Sequence, residues 1–191
     1  TETSLHTPVF KMGKTDLVEN NAYLPLGFMV TRDILPMTSE DDDAGTFTFQ
    51  NRLFTAATGI AEDVYTRVET FDGYSNDGIK VTSRGSAGAY SYSTGSKTGK
   101  ITVSFTVPAD GFVCLDFYVT KRNSMTVYKN GSEICADSLN LDQMVSVGDC
   151  VAGDLIEVDF TCSKANEDGR VTLGAAVLNR GVFWTGYNIL N

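Results

Sequence analysis

The second half of the chain alternates apolar and polar residues so regularly that few folds can accommodate it. Between Ile101 and Val107, apolar side chains occupy every second position, with Thr or Ser between them. Leu155–Cys162 repeats the pattern, with Glu157 and Asp159 on the polar side. Side chains of a strand point alternately to the two faces of a sheet, so this period of two predicts half-buried antiparallel strands.

Further strands follow from the same alternation and from the turns that separate them. Asn130-Gly131 is the strongest turn signal, because both central residues of a tight hairpin need positive φ. The strand candidates are Thr7–Met12, Thr15–Glu19, Ile60–Val68, Ile79–Ser83, Ile101–Val107, Phe112–Thr120, Met125–Lys129, Ser132–Cys135, Met144–Val147, Leu155–Cys162 and Val171–Leu178. Many short strands joined by Gly- and Asn-rich turns predict a mainly β fold, an antiparallel β-sandwich that is jelly-roll-like.

One segment has the period of a helix. Its apolar face consists of Leu53, Phe54, Ala56 and Ala57. Thr48 can cap the start and Gly59 suits the C-terminal end, so we predict one short helix near residues 49–58. The tail, Gly181–Asn191, is interpreted as a last strand or as an end that continued into another segment.

The apolar stretch Glu19–Val30 fits neither a strand nor a helix. Pro25 lacks a backbone donor and Gly27 tolerates positive φ, so a central strand is disfavoured. We predict irregular chain that seals one end of the core.

Composition limits the classes of function. The chain has 191 residues, with 15 Lys and Arg against 24 Asp and Glu, and a formal net charge of −9. Nucleic-acid binding is not expected, because phosphate contacts need a basic stripe that an acidic chain lacks. No run approaches the roughly 18 to 20 apolar residues of a membrane helix. We expect a single domain over residues 1–191, excised from a longer protein because the chain starts at Thr1 rather than Met.

The cysteines argue against a metal centre. Their spacings match no CxxC pattern and His6 is the only histidine, so neither a metal site nor a cofactor is predicted. Disulfides in an oxidising compartment and plain buried thiols stay open as alternatives. If a bridge forms, we expect Cys135–Cys150, because these residues end two neighbouring strand candidates. The four cysteines are Cys114, Cys135, Cys150 and Cys162.

No catalytic constellation can be assembled from the sequence. A Ser-His-Asp triad needs an imidazole, and the only histidine lies near the terminus. The acidic segments 39–45 and 72–78 do not have the spacing of a calcium loop; the first is interpreted as a solvated loop and the second as a turn. The domain is therefore predicted not to be an enzyme, and a hydrolase would require two carboxylates that face each other across a cleft.

Aromatic side chains are the candidate ligand-binding residues. Tyr90 and Tyr92 alternate with small residues, so both rings share one face of an extended segment. Such rings can stack on a sugar, although rings lying over a sheet edge are the competing interpretation. The candidates for sugar stacking are Tyr90, Tyr92, Trp184 and Tyr187.

Three phrases in the first third of the chain are distinctive. Val18-Glu19-Asn20 is followed by Ala22–Val30, reading AYLPLGFMV, then by Phe49–Phe54, reading FQNRLF, and by Thr58-Gly59. Together these phrases resemble the YfhO family of bacterial polytopic membrane proteins. Leu26 departs from the basic or polar residue expected between the proline and the glycine. The chain then leads to Val64-Tyr65-Thr66, whereas the phrases at residues 127–131 and 153–158 are generic to many β-sandwiches.

That resemblance implies a large extracytoplasmic β-rich domain on a protein with many membrane helices, of the kind seen in lipid-linked-sugar glycosyltransferases. This chain would be that outer domain, at the extracytoplasmic face of the bacterial cell membrane, with its own membrane helices as partners. Its implied role is non-catalytic, shaping or gating acceptor access during glycosylation of cell-envelope polymers such as lipoteichoic acid. The alternative function is a carbohydrate-binding module with a cell-envelope glycan as its partner.

Overall fold

The computed structural model describes residues 5–12, 15–22, 30, 45–75, 78–85, 88–95, 98–121, 123–139, 142–162 and 164–191. Thirteen strands and two helices lie in these ranges. The chain divides into two compact units, one formed by Thr1–Val64 with Asn179–Asn191 and the other by Tyr65–Leu178. Neither helix in the described ranges has the length and hydropathy needed to span a bilayer.

The larger unit, Tyr65–Leu178, holds eleven of the strands. They are β3 (Tyr65–Arg67), β4 (Asp72–Ser75), β5 (Ile79–Arg84), β6 (Ala89–Thr94), β7 (Gly99–Thr106), β8 (Gly111–Val119), β9 (Asn123–Lys129), β10 (Ser132–Leu139), β11 (Asp142–Cys150), β12 (Leu155–Cys162) and β13 (Asp168–Leu178). The five-stranded sheet has the order β10-β9-β12-β7-β4, and the six-stranded sheet has the order β11-β8-β13-β6-β5, with β3 paired to β13. These antiparallel sheets confirm the mainly β sandwich predicted from the alternation.

Inward-facing residues from both sheets form one core. Phe117 of β8 and Phe160 of β12 meet edge-on, with ring centroids 5.8 Å apart. In β7, Ile101 and Val103 are fully buried, while Ser104 between the core positions is half-buried. The predicted period of two is therefore the inside–outside alternation of the sandwich.

The β9–β10 hairpin turns where the sequence predicts. Asn130 and Gly131 have φ of 50° and 78°, the left-handed pair that a tight hairpin turn needs. The Asn130 side chain fastens this turn to the next one, because its Nδ2 donates to Asp154 Oδ1 at 2.8 Å and its Oδ1 accepts from Leu155 N at 2.9 Å.

The smaller unit contains a hairpin and both helices. Strands β1 (His6–Met12) and β2 (Thr15–Asn20) pair antiparallel, as predicted. Helix α1 (Thr46–Thr58) confirms the predicted helix and ends at Gly59, whose φ is 76°. It begins earlier than expected, however, with Gly45 at the N-cap position and Thr48 inside the first turn.

The C-terminal tail corrects the sequence interpretation, because Arg180–Leu190 is a helix, α2, rather than a strand. Asn179 supplies the start signal, since its Oδ1 accepts a hydrogen bond from Val182 N at 3.2 Å. Gly186 lies against the ring of Phe54 from α1, so the two helices pack closely at a residue without a side chain. Tertiary packing thus decides a segment whose local pattern is ambiguous.

The structure shortens one further predicted strand and leaves part of another segment outside the described residues. The strand expected over Ile60–Val68 shrinks to β3, because Ile60 N bonds back to Thr58 Oγ1 at 3.2 Å and Glu62 is exposed outside any strand. For the segment Glu19–Val30, residues 23–29 lie outside the described residues, and so does the predicted sealing of the core.

The cysteines are all free thiols in this structure. Cys135 lies within β10 of the five-stranded sheet, whereas Cys150 ends β11 of the six-stranded sheet. The two residues therefore do not end neighbouring strands, which removes the reason for expecting Cys135–Cys150. Burial raises the pKa of Cys114 to about 11, the behaviour of a buried thiol rather than of a nucleophile.

Candidate functional site

Two of the predicted stacking residues lie inside the core. Tyr90 and Tyr92 on β6 are 4% and 1% exposed, respectively. Each ring covers a glycine, with Tyr90 over Gly73 and Tyr92 over Gly169, its cross-strand partner. A sugar has no access to rings that are this buried, so the stacking role predicted for these two tyrosines is wrong.

The other two, Trp184 and Tyr187, lie together on α2. Their rings meet edge-on with centroids 5.1 Å apart, and Phe183 packs edge-on against Trp184 at 5.3 Å. Both are half-buried. They form an aromatic cluster of the smaller unit, and their role in sugar stacking stays a prediction.

The five-stranded sheet brings together a different set of side chains on the surface that faces away from the core. The register aligns Tyr74 with Thr102, Thr102 with Asp159, and Asp159 with Thr126 across β4, β7, β12 and β9. Two residues further along each strand, a second row aligns one side chain from each of the five strands: Asp72, Ser104, Glu157, Tyr128 and Glu133. We call this surface the outer face; its residues are Asp72, Tyr74, Lys100, Thr102, Ser104, Thr126, Tyr128, Glu133, Glu157 and Asp159.

A fixed ion pair occupies the centre of the outer face. Lys100 Nζ lies 2.8 Å from Asp159 Oδ2, and Thr102 Oγ1 donates to the other carboxylate oxygen. Asp159 and Thr102 are only 8% and 2% exposed. The hydrogen bond to Asp159 raises the pKa of Lys100, and the nearby hydroxyl groups of Tyr74 and Tyr128 raise it further. Lys100 is thus held as an ammonium beside two tyrosines.

The two tyrosines give the outer face its apolar surface. Tyr74 is 55% exposed, and Tyr128 is half-buried. They stand on β4 and β9, which are separated by β7 and β12, so the strand axes are roughly 14 Å apart. Rings at this separation, with a fixed charged pair between them, can contact the apolar and polar parts of one extended ligand.

Sequence reasoning does not find Tyr74 or Lys100. The Asp-Gly and Asn-Asp-Gly pattern of residues 72–78 predicts a turn, yet the structure places Asp72–Ser75 in β4. The strand is short and its inward position is Gly73, so it leaves almost no apolar alternation to detect. Asp159 does carry a signal, because it lies on the polar side of the alternation in β12.

The smaller unit has a shallow pocket of its own along α1, with a volume of about 400 Å³. It offers one guanidinium, one carboxylate and no aromatic ring among its lining residues. Within the described ranges, no three His, Cys, Asp or Glu residues are placed to hold a metal ion. The pocket is lined by Asn51, Arg52, Thr55, Ala56, Gly59 and Asp63.

Comparison with known proteins gives structural likeness only. No protein-family model matches the chain, and no curated protein sequence matches it. A family 35 carbohydrate-binding module from Clostridium thermocellum is similar at a TM-score of 0.39 and 12% identity, over 59% of this chain and 96% of that one. A mutant of a family 29 carbohydrate-binding module, complexed with mannohexaose, is similar at 0.38 and 13%, over 62% and 95%. TmCBM61 in complex with beta-1,4-galactotriose is similar at 0.38 and 11%, over 55% and 86%. Likeness at this level does not establish what this chain binds.

Proposed function

We propose that this domain binds a glycan on the outer face of the five-stranded sheet. The observation that carries the proposal is Tyr74, more than half exposed beside the Lys100–Asp159 ion pair. A pyranose ring has an apolar C–H face and a polar hydroxyl edge. An exposed ring next to fixed donors and acceptors matches both parts of a sugar at once.

The fixed geometry supports binding over a purely structural role. The nearly buried Asp159 carboxylate holds the Lys100 ammonium, which is 39% exposed, so this donor has a set position before any ligand arrives. A group that is already ordered loses little conformational entropy when it donates a hydrogen bond to a ligand.

We propose binding without catalysis. Asp72 and Glu157 both flank Ser104 on the outer face, one on each neighbouring strand. They project from the same side of the sheet. Acid–base hydrolysis of a glycosidic bond instead requires two carboxyl groups that face each other across a cleft.

Calorimetry on the whole chain tests the proposal with two matched tyrosines. The control is Tyr118, which is 44% exposed on the other, six-stranded sheet and lies beside Thr172 of β13. With a panel of neutral and amine-bearing oligosaccharides, we expect Tyr74→Ala to weaken binding by roughly threefold to tenfold, the value of one aromatic contact. Tyr118→Ala should leave the dissociation constant unchanged. Binding that is absent from the whole panel, or lost equally in both variants, would reject the outer face as a glycan site.

For the cellular setting, we propose the extracytoplasmic domain of a YfhO-like membrane protein. The support is the sequence resemblance, above all Val18-Glu19-Asn20 followed by Ala22–Val30 and Phe49–Phe54. A glycan-binding domain at that location would present acceptor polymer to a membrane-embedded enzyme. The sequence of the full gene tests this, since membrane-helix segments beside this domain are expected and a reading frame with none would refute it.

A further inference from the structure

We infer that the glycan bound by the outer face carries positive charge, as an amino sugar or another amine-bearing glycan does. This inference rests on the proposed function and specifies the class of its ligand. It starts from the charges on the outer face, where four carboxylates stand with one ammonium. The carboxylates are Asp72, Glu133, Glu157 and Asp159, and the ammonium is Lys100.

Three of the carboxylates form a row that crosses the whole sheet. The register aligns Asp72 with Ser104, Ser104 with Glu157, Glu157 with Tyr128, and Tyr128 with Glu133. Asp72 and Glu133 are exposed, and Glu157 is half-buried. Neither salt bridge recorded between described residues involves any of the three.

Two of the nearby cations in the described part of the chain are paired with other carboxylates. Lys100 is held by Asp159 at 2.8 Å, and Lys129 at the end of β9 by Asp154 at 3.0 Å. Arg84 at the β4 edge donates to the neutral carbonyl oxygen of Gly73 at 2.9 Å and keeps its positive charge near the Asp72 end of the row. Three carboxylates against this one guanidinium leave the row net negative where a ligand meets the two tyrosines.

Two physical effects then select the ligand charge. Carboxylates on one face attract an ammonium group and repel phosphate or uronate groups, most strongly at low ionic strength. Tyrosine faces add to the attraction, because a cation above an aromatic ring interacts with its quadrupole. A neutral sugar gains neither effect. An anionic polymer such as lipoteichoic acid loses affinity unless its own amines carry the contact.

A matched ligand pair tests the inference on the whole chain. The hexamer of glucosamine and the hexamer of N-acetylglucosamine share one backbone and differ in the amine. At mildly acidic pH, where the amines are protonated, we expect the glucosamine hexamer to bind about threefold to tenfold more tightly, the effect of one or two exposed ion pairs. The preference should shrink in 0.5 M salt and in Glu157→Gln, and binding of both hexamers should weaken in Tyr74→Ala.

The other outcomes separate the two proposals. Tyr74-dependent binding in which the glucosamine hexamer is no tighter, or in which a hyaluronan oligomer is tightest, overturns the charge inference and leaves glycan binding intact. Tight glucosamine binding that persists in Tyr74→Ala shows only attraction to an acidic chain and overturns the inference as well. Absence of binding by both hexamers and by the neutral panel overturns the proposed function itself.

Discussion

Replacement of Lys100 by Met should destabilise the larger unit measurably, because it leaves Asp159 without its counter-charge. The two side chains are 39% and 11% exposed at a separation of 2.8 Å. Exposed ion pairs contribute about 0.2–1 kcal/mol, whereas breaking a buried pair costs about 3–5 kcal/mol. Here the ammonium is more than a third exposed and the carboxylate is nearly buried. We therefore expect Lys100→Met to lower the free energy of unfolding by about 1–2 kcal/mol.

Urea denaturation followed by far-UV circular dichroism measures this loss. Lys80→Met on β5 is the matched control, since Lys80 is exposed and should change stability by less than about 0.5 kcal/mol. The double variant Lys100→Met/Asp159→Asn should recover part of the loss, because a neutral amide still accepts from Thr102 but leaves no orphaned charge. If Lys100→Met costs no more than Lys80→Met, the pair is an ordinary surface contact, and the argument that it is pre-ordered for a ligand fails.

Two further changes test the turns and the core. Hydrogen bonds from Asn130 and Val151, and then Lys129, lower the pKa of Asp154 from 3.8 to about 2. A carboxyl group whose pKa is lowered in the folded state stabilises the fold at pH values above its unfolded pKa. The unchanged protein should therefore be more stable than Asp154→Asn above about pH 4, and this difference should vanish as the pH falls towards 2. A difference that does not change between pH 5 and pH 2 would contradict this assignment. Gly169→Ala places a methyl group where the Tyr92 ring lies and should lower the free energy of unfolding by about 1–3 kcal/mol in the same urea assay. Adding Tyr92→Leu should restore part of that loss. An unchanged urea midpoint in Gly169→Ala would show instead that the ring can move aside.

The sequence predicts the sandwich well because its signals are local. The alternation in β7 and β12 and the Asn130-Gly131 turn are each contained in a few neighbouring residues, and the structure confirms them. Helix α2 has a local start signal in Asn179, but it escapes sequence prediction because its packing depends on the contact between Gly186 and Phe54, which lie far apart in the chain. Contacts between distant parts of the chain leave no periodic trace in the sequence.

The candidate site is harder to predict for the same reason. The outer face joins β4, β7, β12, β9 and β10, and their order in the sheet differs from their order in the chain. Tyr90 and Tyr92 resemble surface rings in the sequence because small residues alternate with them. The structure shows instead that the small residues that matter, Gly73 and Gly169, lie on other strands beneath those rings. Aromatic residues alone therefore do not reveal which face of a sheet a ligand can reach.

The rings that cover glycines also have an evolutionary consequence. Because Tyr92 occupies the space above Gly169 and Tyr90 the space above Gly73, neither member of a pair can change size independently. Among relatives of this chain, positions 92 and 169, and positions 90 and 73, should therefore vary together: wherever the glycine has gained a side chain, the tyrosine should have been replaced by a smaller residue. These two pairs would mark a shared ancestry of the core even in sequences whose surface residues, and whose ligands, have diverged completely.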